Sequence, residues 1–73
     1  MRVKVETYSG YTSDERPLRF HMKNSAREVR AVIDQWYAPD AKWFKDEADD
    51  GHRYVLRHAF EDDGWTLESL AGR

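Results

Sequence analysis

The chain has 73 residues, no cysteine and a formal net charge of −2, with 36% charged and 14% aromatic residues. This length predicts a single domain, residues 1–73, and the lack of cysteine excludes disulfides and cysteine-based zinc sites. The slight negative charge argues against strong binding to a nucleic-acid backbone, and no apolar run approaches the roughly 20 residues that span a membrane. Because no signal peptide is visible at the start, we expect a cytoplasmic protein without membrane association.

The first two predicted elements are strands. Residues 1–8 alternate between apolar and charged side chains, and this period of two predicts a half-buried strand. Residues 9–17 are rich in Ser, Gly, Asp and Pro, which predicts a loop. Pro17 begins a second alternating run that predicts another strand over residues 17–23.

The segment at 25–38 is consistent with two structures. Ser25 and Glu28 match a helix capping box, the following apolar residues have helical spacing, and Pro39 would end the helix. The β-branched residues of the same segment instead favour a strand, with a bulge to keep its apolar side inward. We predict a bent strand over 26–37, with one helix packed on the sheet as the alternative.

Three further strands are predicted at 43–48, 52–60 and 65–70, and each gap between them contains Asp-Asp-Gly. These units are Asp49-Asp50-Gly51 and Asp62-Asp63-Gly64, thirteen residues apart, which is the length of one strand plus one turn. Asp-Gly between alternating runs is typical of a hairpin with a type I′ turn. The sequence therefore predicts two hairpins in a continuous meander.

These elements together predict a mainly β fold, a small antiparallel meander of five or six strands that forms a partly open SH3/OB-like barrel. The predicted core consists of Val3, Val5, Leu18, Phe20, Met22, Val29, Val32, Trp36, Phe44, Tyr54, Leu56, Trp65 and Leu67.

The motifs for catalysis and metal binding are weak. An EF-hand loop with Gly51 at its sixth position would have Ala48 and Arg57 where oxygen ligands belong, which argues against calcium. No phosphate-binding loop and no nucleophile motif is present. His58 falls on the apolar face of its strand, which is typical of a hydrogen-bonded, partly buried histidine. A metal-dependent enzyme that uses His58 is the least favoured hypothesis, and no cofactor is predicted.

The remaining candidate is a surface of outward-facing cationic and aromatic side chains. Its predicted members are Arg19, Lys23, Trp43, Lys45, Arg53 and Arg57. Arg and Lys beside an exposed aromatic residue are typical of small barrels that bind single-stranded nucleic acid, although a solvated charged face has the same pattern. An exposed edge strand could instead contact a protein. We predict a non-enzymatic binding or adaptor module with a protein partner, with single-stranded nucleic acid as the alternative.

The chain also resembles an uncharacterised family of small bacterial cytoplasmic proteins along nearly its whole length. The matching segments are Glu15-Pro17-Phe20, Asp34 to Asp40, Trp43-Phe44-Lys45, Asp49 to His58, and Trp65-Leu67. The resemblance implies a long bent strand at 26–37 and assigns no activity. The chain departs from the family pattern at Lys23-Asn24, where Gly-Gly is usual, at Ala59, where an Asp is usual, and at Asp46, where Val is usual. Asp46 therefore puts the inward register of its strand in doubt.

Overall fold

The chain forms six antiparallel strands in a computed structural model that describes residues 1–8 and 16–71. The strands are β1 (Arg2–Tyr8), β2 (Arg16–His21), β3 (Ala26–Ala38), β4 (Ala41–Ala48), β5 (Arg53–Ala59) and β6 (Gly64–Ala71). They lie in chain order around a closed barrel, in which β6 returns to β1. The prediction of a small antiparallel barrel is confirmed. The alternative helix at 26–37 is wrong. Of the loop predicted at 9–17, residues 16 and 17 belong instead to β2, and residues 9–15 lie outside the described residues.

The barrel is closed by a short seam. β1 and β6 pair only at Arg2 with Thr66 and at Val3 with Trp65, whereas β4 and β5 pair over seven residues each. One further backbone hydrogen bond joins the seam, from the amide of Leu67 to the carbonyl oxygen of Met1. Beyond Val3, β1 therefore continues without a β6 partner.

Aromatic side chains supply most of the core. Phe20, Phe44 and Leu56 are fully buried, and Tyr54 and Trp65 are nearly so. The rings of Phe44 and Trp65 stack with centroids 5.6 Å apart, and Phe20 meets Tyr54 edge-on at 4.9 Å. Partly buried apolar residues complete the core, namely Val3, Val5, Met22, Val29, Val32 and Leu67. These residues confirm eleven of the thirteen predicted core positions.

Leu18 does not belong to the core, contrary to prediction, because a bulge interrupts the β1–β2 pairing. Glu6 lies opposite Arg19 and Thr7 lies opposite Pro17, so Leu18 is the extra residue between them. Pro17 is buried in its place, and Leu18 remains 46% exposed.

Trp36 is the second predicted core residue that lies outside the barrel. The β3–β4 register shifts twice, so that Arg30 and Ile33 have no partner on β4. After the second shift, Trp36 lies opposite Trp43, whose two neighbours on β4, Lys42 and Phe44, are both buried. Because side chains alternate along a strand, Trp36 points outward with Trp43.

Both Asp-Asp-Gly units form hairpin turns, but neither has the predicted type I′ geometry. In the first, the amide of Ala48 donates to the carbonyl of His52 at 2.9 Å, and Gly51 alone adopts a positive φ, +83°. This is a three-residue loop with one left-handed residue. In the second, Asp63 takes the left-handed conformation with φ 58°, and Gly64 begins β6. A type I′ turn would need two consecutive left-handed residues, which neither turn has.

The first turn is fixed by Asp50, whose carboxylate accepts hydrogen bonds from three residues. The donors are the Tyr54 hydroxyl at 2.6 Å, the His52 amide at 3.0 Å and the Arg27 guanidinium at 2.9 Å. Burial acts to raise the pKa of Asp50, but these donors outweigh it and hold the pKa far below its ordinary value. Asp50 therefore ties β3 to the β4–β5 turn.

Candidate functional site

The second half of β3 carries an unpaired backbone edge. β2 pairs with β3 only from Ala26 to Glu28, while β3 continues to Ala38 and pairs with β4 on its other side. Among the described residues, no strand pairs with the side of residues 30–38 that faces away from β4. We refer to residues 30–38 as the β3 edge. Its free amide and carbonyl groups can pair with another extended chain.

Large apolar side chains are exposed along the β3 edge. Ile33 is 43% exposed, Trp36 41% and Tyr37 63%. Ile33 is displaced by a bulge, and Tyr37 lies near the end of the hairpin, where it covers the ammonium group of Lys42 at 4.7 Å. The three residues lie within five positions of one strand, with Trp36 on the face of Trp43 and Tyr37 on the face of Lys42. Exposed apolar side chains this close together form a patch of the kind that marks interaction sites.

A shallow groove continues this patch toward β2. It has a volume of about 160 Å³ and lies where the two strands separate, between residues 16–18 and residues 29–32. Leu18, exposed by its own bulge, and Val32 form apolar parts of its lining, and Arg16 and Arg30 also line it. Leu18 therefore lies beside residues 29–32, where the β3 edge begins.

Trp36, Trp43 and Arg57 form a row across three strands. Trp36 lies opposite Trp43, and Trp43 lies opposite Arg57. The two indole rings are nearly parallel, with an interplanar angle of 4° and centroids 6.3 Å apart, and the Arg57 guanidinium lies 5.6 Å from the Trp43 ring. Stacking between these side chains restrains Trp36 before any partner binds. The exposed ring at the β3 edge would therefore lose little side-chain entropy on binding.

The structure separates the six predicted surface residues into two groups. Four of them lie on the outer face of β4 and β5, namely Trp43, Lys45, Arg53 and Arg57. Arg19 lies on β2, and Lys23 lies in the turn that follows it. The six residues therefore do not form one continuous surface.

Carboxylates accompany four of the five cationic members of this set, all except Lys23. Arg19 contacts both Glu6 and Glu28, and the Arg57 guanidinium lies 3.9 Å from the Asp40 carboxylate. On the outer face, Lys45 lies directly opposite Asp34, and Arg53 lies directly opposite Glu47. Alternating signs of charge across neighbouring strands reduce the positive potential that this face can present to a phosphate backbone.

Asp46 is the most unusual residue inside the barrel. It is fully buried on β4, between Val32 and Tyr54 on the flanking strands. Neither carboxylate oxygen has a hydrogen-bond partner among the described residues. Burial raises the pKa of Asp46 to about 7, because an apolar surrounding disfavours the charged form. The inward register is therefore preserved at the position where the family resemblance implies Val.

His58 is held in the barrel wall by its neighbours. Its ring stacks on Trp65 at 4.3 Å and its Nε2 atom lies 2.5 Å from the carboxylate of Asp63. The side chain is 12% exposed, as expected for a partly buried, hydrogen-bonded histidine. In the part of the chain that the structure describes, no three His, Asp or Glu side chains come together as a metal site.

Within residues 1–8 and 16–71, no helix is long and apolar enough to cross a membrane. No protein-family model matches the chain, and no significant match exists among curated proteins or solved structures. The fold and the surface define a small six-stranded β-barrel in which no described strand pairs with the outer edge of β3 at residues 30–38.

Two parts of this surface were not predicted from the sequence. Ile33 and Tyr37 were not among the predicted surface residues, and Leu18 and Trp36 were assigned to the core. A bulge was predicted in β3, and its position would have indicated which residues point outward. That position depends on pairing with β4. An edge is a property of the whole sheet, so no local pattern identifies it.

Proposed function

We propose that the chain is a non-enzymatic binding module that takes an extended segment of a protein partner as an additional strand along the β3 edge. The observation that carries this proposal is a backbone edge at residues 30–38 that no described strand pairs with, together with exposed Ile33, Trp36 and Tyr37 on the same strand. Backbone hydrogen bonds would supply affinity, and contacts with alternate side chains would supply specificity. Its proposed setting is the bacterial cytoplasm, as the family resemblance and the lack of cysteine imply.

The shape and charge of the surface favour a peptide as the occupant. Where β2 and β3 separate, the groove of about 160 Å³ offers space for small apolar side chains beside the unpaired backbone. Stacking of Trp36 on Trp43 preorganises the aromatic part of the surface, which reduces the entropy lost on binding. The predicted cationic residues near this surface have carboxylates close by, which weakens the case for single-stranded nucleic acid.

A peptide-display selection tests the proposal even while the natural partner is unidentified. Random peptides are selected on the immobilised protein, and the selected peptides are titrated into isotopically labelled protein by NMR. We expect the largest amide shifts at residues 30–38 and intermolecular contacts between backbone protons, which are characteristic of an added strand. Exchange protection of these amides should increase when the peptide binds.

Two matched variants locate the binding surface. Ile33→Lys places a charge on the β3 edge, a common natural device against strand pairing, and should weaken peptide binding at least tenfold. Phe60→Lys replaces an apolar residue of similar exposure, 47% against 43%, in the β5–β6 turn and should leave binding unchanged. Equal effects of the two substitutions would contradict the proposal.

Single-stranded DNA and RNA serve as competing ligands in the same titration. If either binds more tightly than the selected peptides, and Arg53→Ala with Arg57→Ala removes that binding, the nucleic-acid alternative replaces the proposal. A selection that yields no peptide, or peptides that shift only amides of β5 and β6, would also refute it.

A further inference from the structure

A second concave region lies along β1 and is separate from the β3 edge. It has a volume of about 770 Å³, within the range of small-molecule sites. The cavity exists because the β1–β6 seam ends at Val3, so the following residues of β1 have no partner on β6. On one side it is bounded by residues 21–23 and on the other by residues 63–65.

Apolar side chains form much of the lining of this β1 cavity. Val3 and Val5 come from β1, Met22 from the residue after β2, and Trp65 from the start of β6. All four either belong to the core or pack against it, so their positions are set by the barrel. A ligand with an apolar body would find a preformed surface here and would bury area that is now in contact with water.

The charged part of the lining is mainly cationic. Arg2, Lys4 and Lys23 line the cavity together with His21, against the single acid Asp63. That acid is engaged with His58 at 2.5 Å, and His21 contacts Glu6 at 2.6 Å. Arg2 has its nearest carboxylate, Asp62, at 3.9 Å.

Lys4 and Lys23 are the two cations available to a ligand. Both side chains are exposed, and neither makes an ion pair or hydrogen bond within residues 1–8 and 16–71. They belong to adjacent parts of one sheet, because Lys4 lies opposite His21, two residues before Lys23. Their ammonium groups can donate to one acidic group without first breaking an internal ion pair.

From this combination we infer that the β1 cavity binds a small amphipathic anion. Its acidic group, a carboxylate, sulfonate or phosphate, is held by Lys4 and Lys23. The apolar body lies against Val3, Val5 and Met22. The lysines favour an anionic ligand because their charge is complementary to it. Simple inorganic anions and neutral apolar molecules would each use only the cationic or only the apolar part of the lining, so both should bind weakly.

Three probes separate the contribution of the acidic group from that of the apolar body. The dye 1-anilinonaphthalene-8-sulfonate has both an anionic group and an apolar body. N-phenyl-1-naphthylamine is the same body without the sulfonate, and sulfate has the charge without the body. We expect the sulfonated dye to bind at least tenfold more tightly than either control, as measured by fluorescence titration and by NMR. Its affinity should fall as the salt concentration rises.

Paired variants locate the site of the dye. Lys4→Gln with Lys23→Gln should weaken binding of the sulfonated dye about tenfold and leave the neutral dye unaffected. Lys45→Gln with Arg53→Gln removes the same charge from the outer face of β4 and β5 and should change neither. Ile33→Lys should also leave dye binding intact, so failure here and failure of the proposed peptide site can be distinguished. Methyl shifts of Val3, Val5 and Met22 provide an independent readout of location.

Several results would overturn the inference. One is equal binding of the neutral and sulfonated dyes, since the cations would then contribute nothing. Another is loss of binding with the outer-face pair but not with the Lys4 and Lys23 pair. Dye-induced shifts that fall on the β3 edge instead of β1 would also overturn it, as would the absence of measurable dye binding.

Discussion

Replacing Asp46 by valine is expected to stabilise the barrel, and to do so far more at alkaline than at acidic pH. The carboxyl group is fully buried without a hydrogen-bond partner among the described residues, and burial raises its pKa from the ordinary 3.8 to about 7. In the unfolded chain the group titrates near its ordinary value. The folded state therefore binds a proton that the unfolded state releases between these two pKa values.

The sign and magnitude of the effect follow from this difference. Below about pH 3 the carboxyl is mostly protonated in both states, so it adds little pH-dependent cost. As the pH rises toward the folded pKa of about 7, stability falls by about 1.4 kcal/mol for each pH unit. The total loss is about 4 kcal/mol, which is large for a chain of this size.

Urea and thermal unfolding, followed by tryptophan fluorescence, measure the effect at about pH 4 and about pH 8. At the higher pH, Asp46→Val should raise the free energy of unfolding by about 4 kcal/mol, or Tm by about 15–30 °C. At the lower pH the gain in unfolding free energy should be much smaller, because it then comes mainly from the difference in buried apolar area between valine and the protonated aspartic acid. Asp46→Asn should remove the pH dependence with a smaller gain, because its amide still lacks partners.

Glu47→Gln is the matched control, since it removes a carboxylate from the adjacent, outward-facing position of the same strand. It should change stability little at either pH. If Asp46→Val gave the same gain at both pH values, or Glu47→Gln reproduced its pH dependence, the titration of a buried Asp46 would not be the cause.

Three other perturbations test the barrel and its edge. Asp50→Asn should cost about 1–2 kcal/mol of unfolding free energy at neutral pH. Because the Asp50 pKa is depressed in the folded state, this difference should vanish as acid protonates the wild-type carboxyl, and an unchanged cost at low pH would contradict the assignment. Gly51→Ala should cost about 1–2 kcal/mol because of the positive φ alone, since no atom lies within 4 Å of the added methyl group; an effect near zero in urea unfolding would argue against a left-handed residue there. Hydrogen exchange of the free protein should be faster at outward amides of the β3 edge than in β5, which is paired on both sides, and equal protection would indicate that the edge is covered.

The candidate site was only partly predictable. Trp43, Lys45, Arg53 and Arg57 were assigned to an outward surface from strand alternation, and the structure places them on one face. The carboxylates that lie opposite Lys45 and Arg53 were not evident from the sequence. They belong to neighbouring strands, so their positions depend on strand register and not on adjacency in the chain. The function proposed for the β3 edge and the ligand inferred for the β1 cavity both depend on where pairing stops, which no short segment encodes.

By itself, the sequence determined the strands with the clearest local signals. The alternation around Tyr54 and Leu56 assigned both to the core, and the two Asp-Asp-Gly units marked the turns on either side of β5. These features depend on neighbouring residues only, since alternation and turn chemistry act over a few positions.

Only the tertiary structure decided which residues the bulges displaced and where the barrel left strands unpaired. Residues 26–38 could form a helix or a strand, and pairing with β2 and β4 selected the strand. The same pairing turned Trp36 outward and kept Asp46 inside, and a bulge in the β1–β2 pairing exposed Leu18. A single extra residue in one strand changes the face to which the following side chains point. Whether a residue is buried or exposed therefore depends on pairing with a strand distant in sequence.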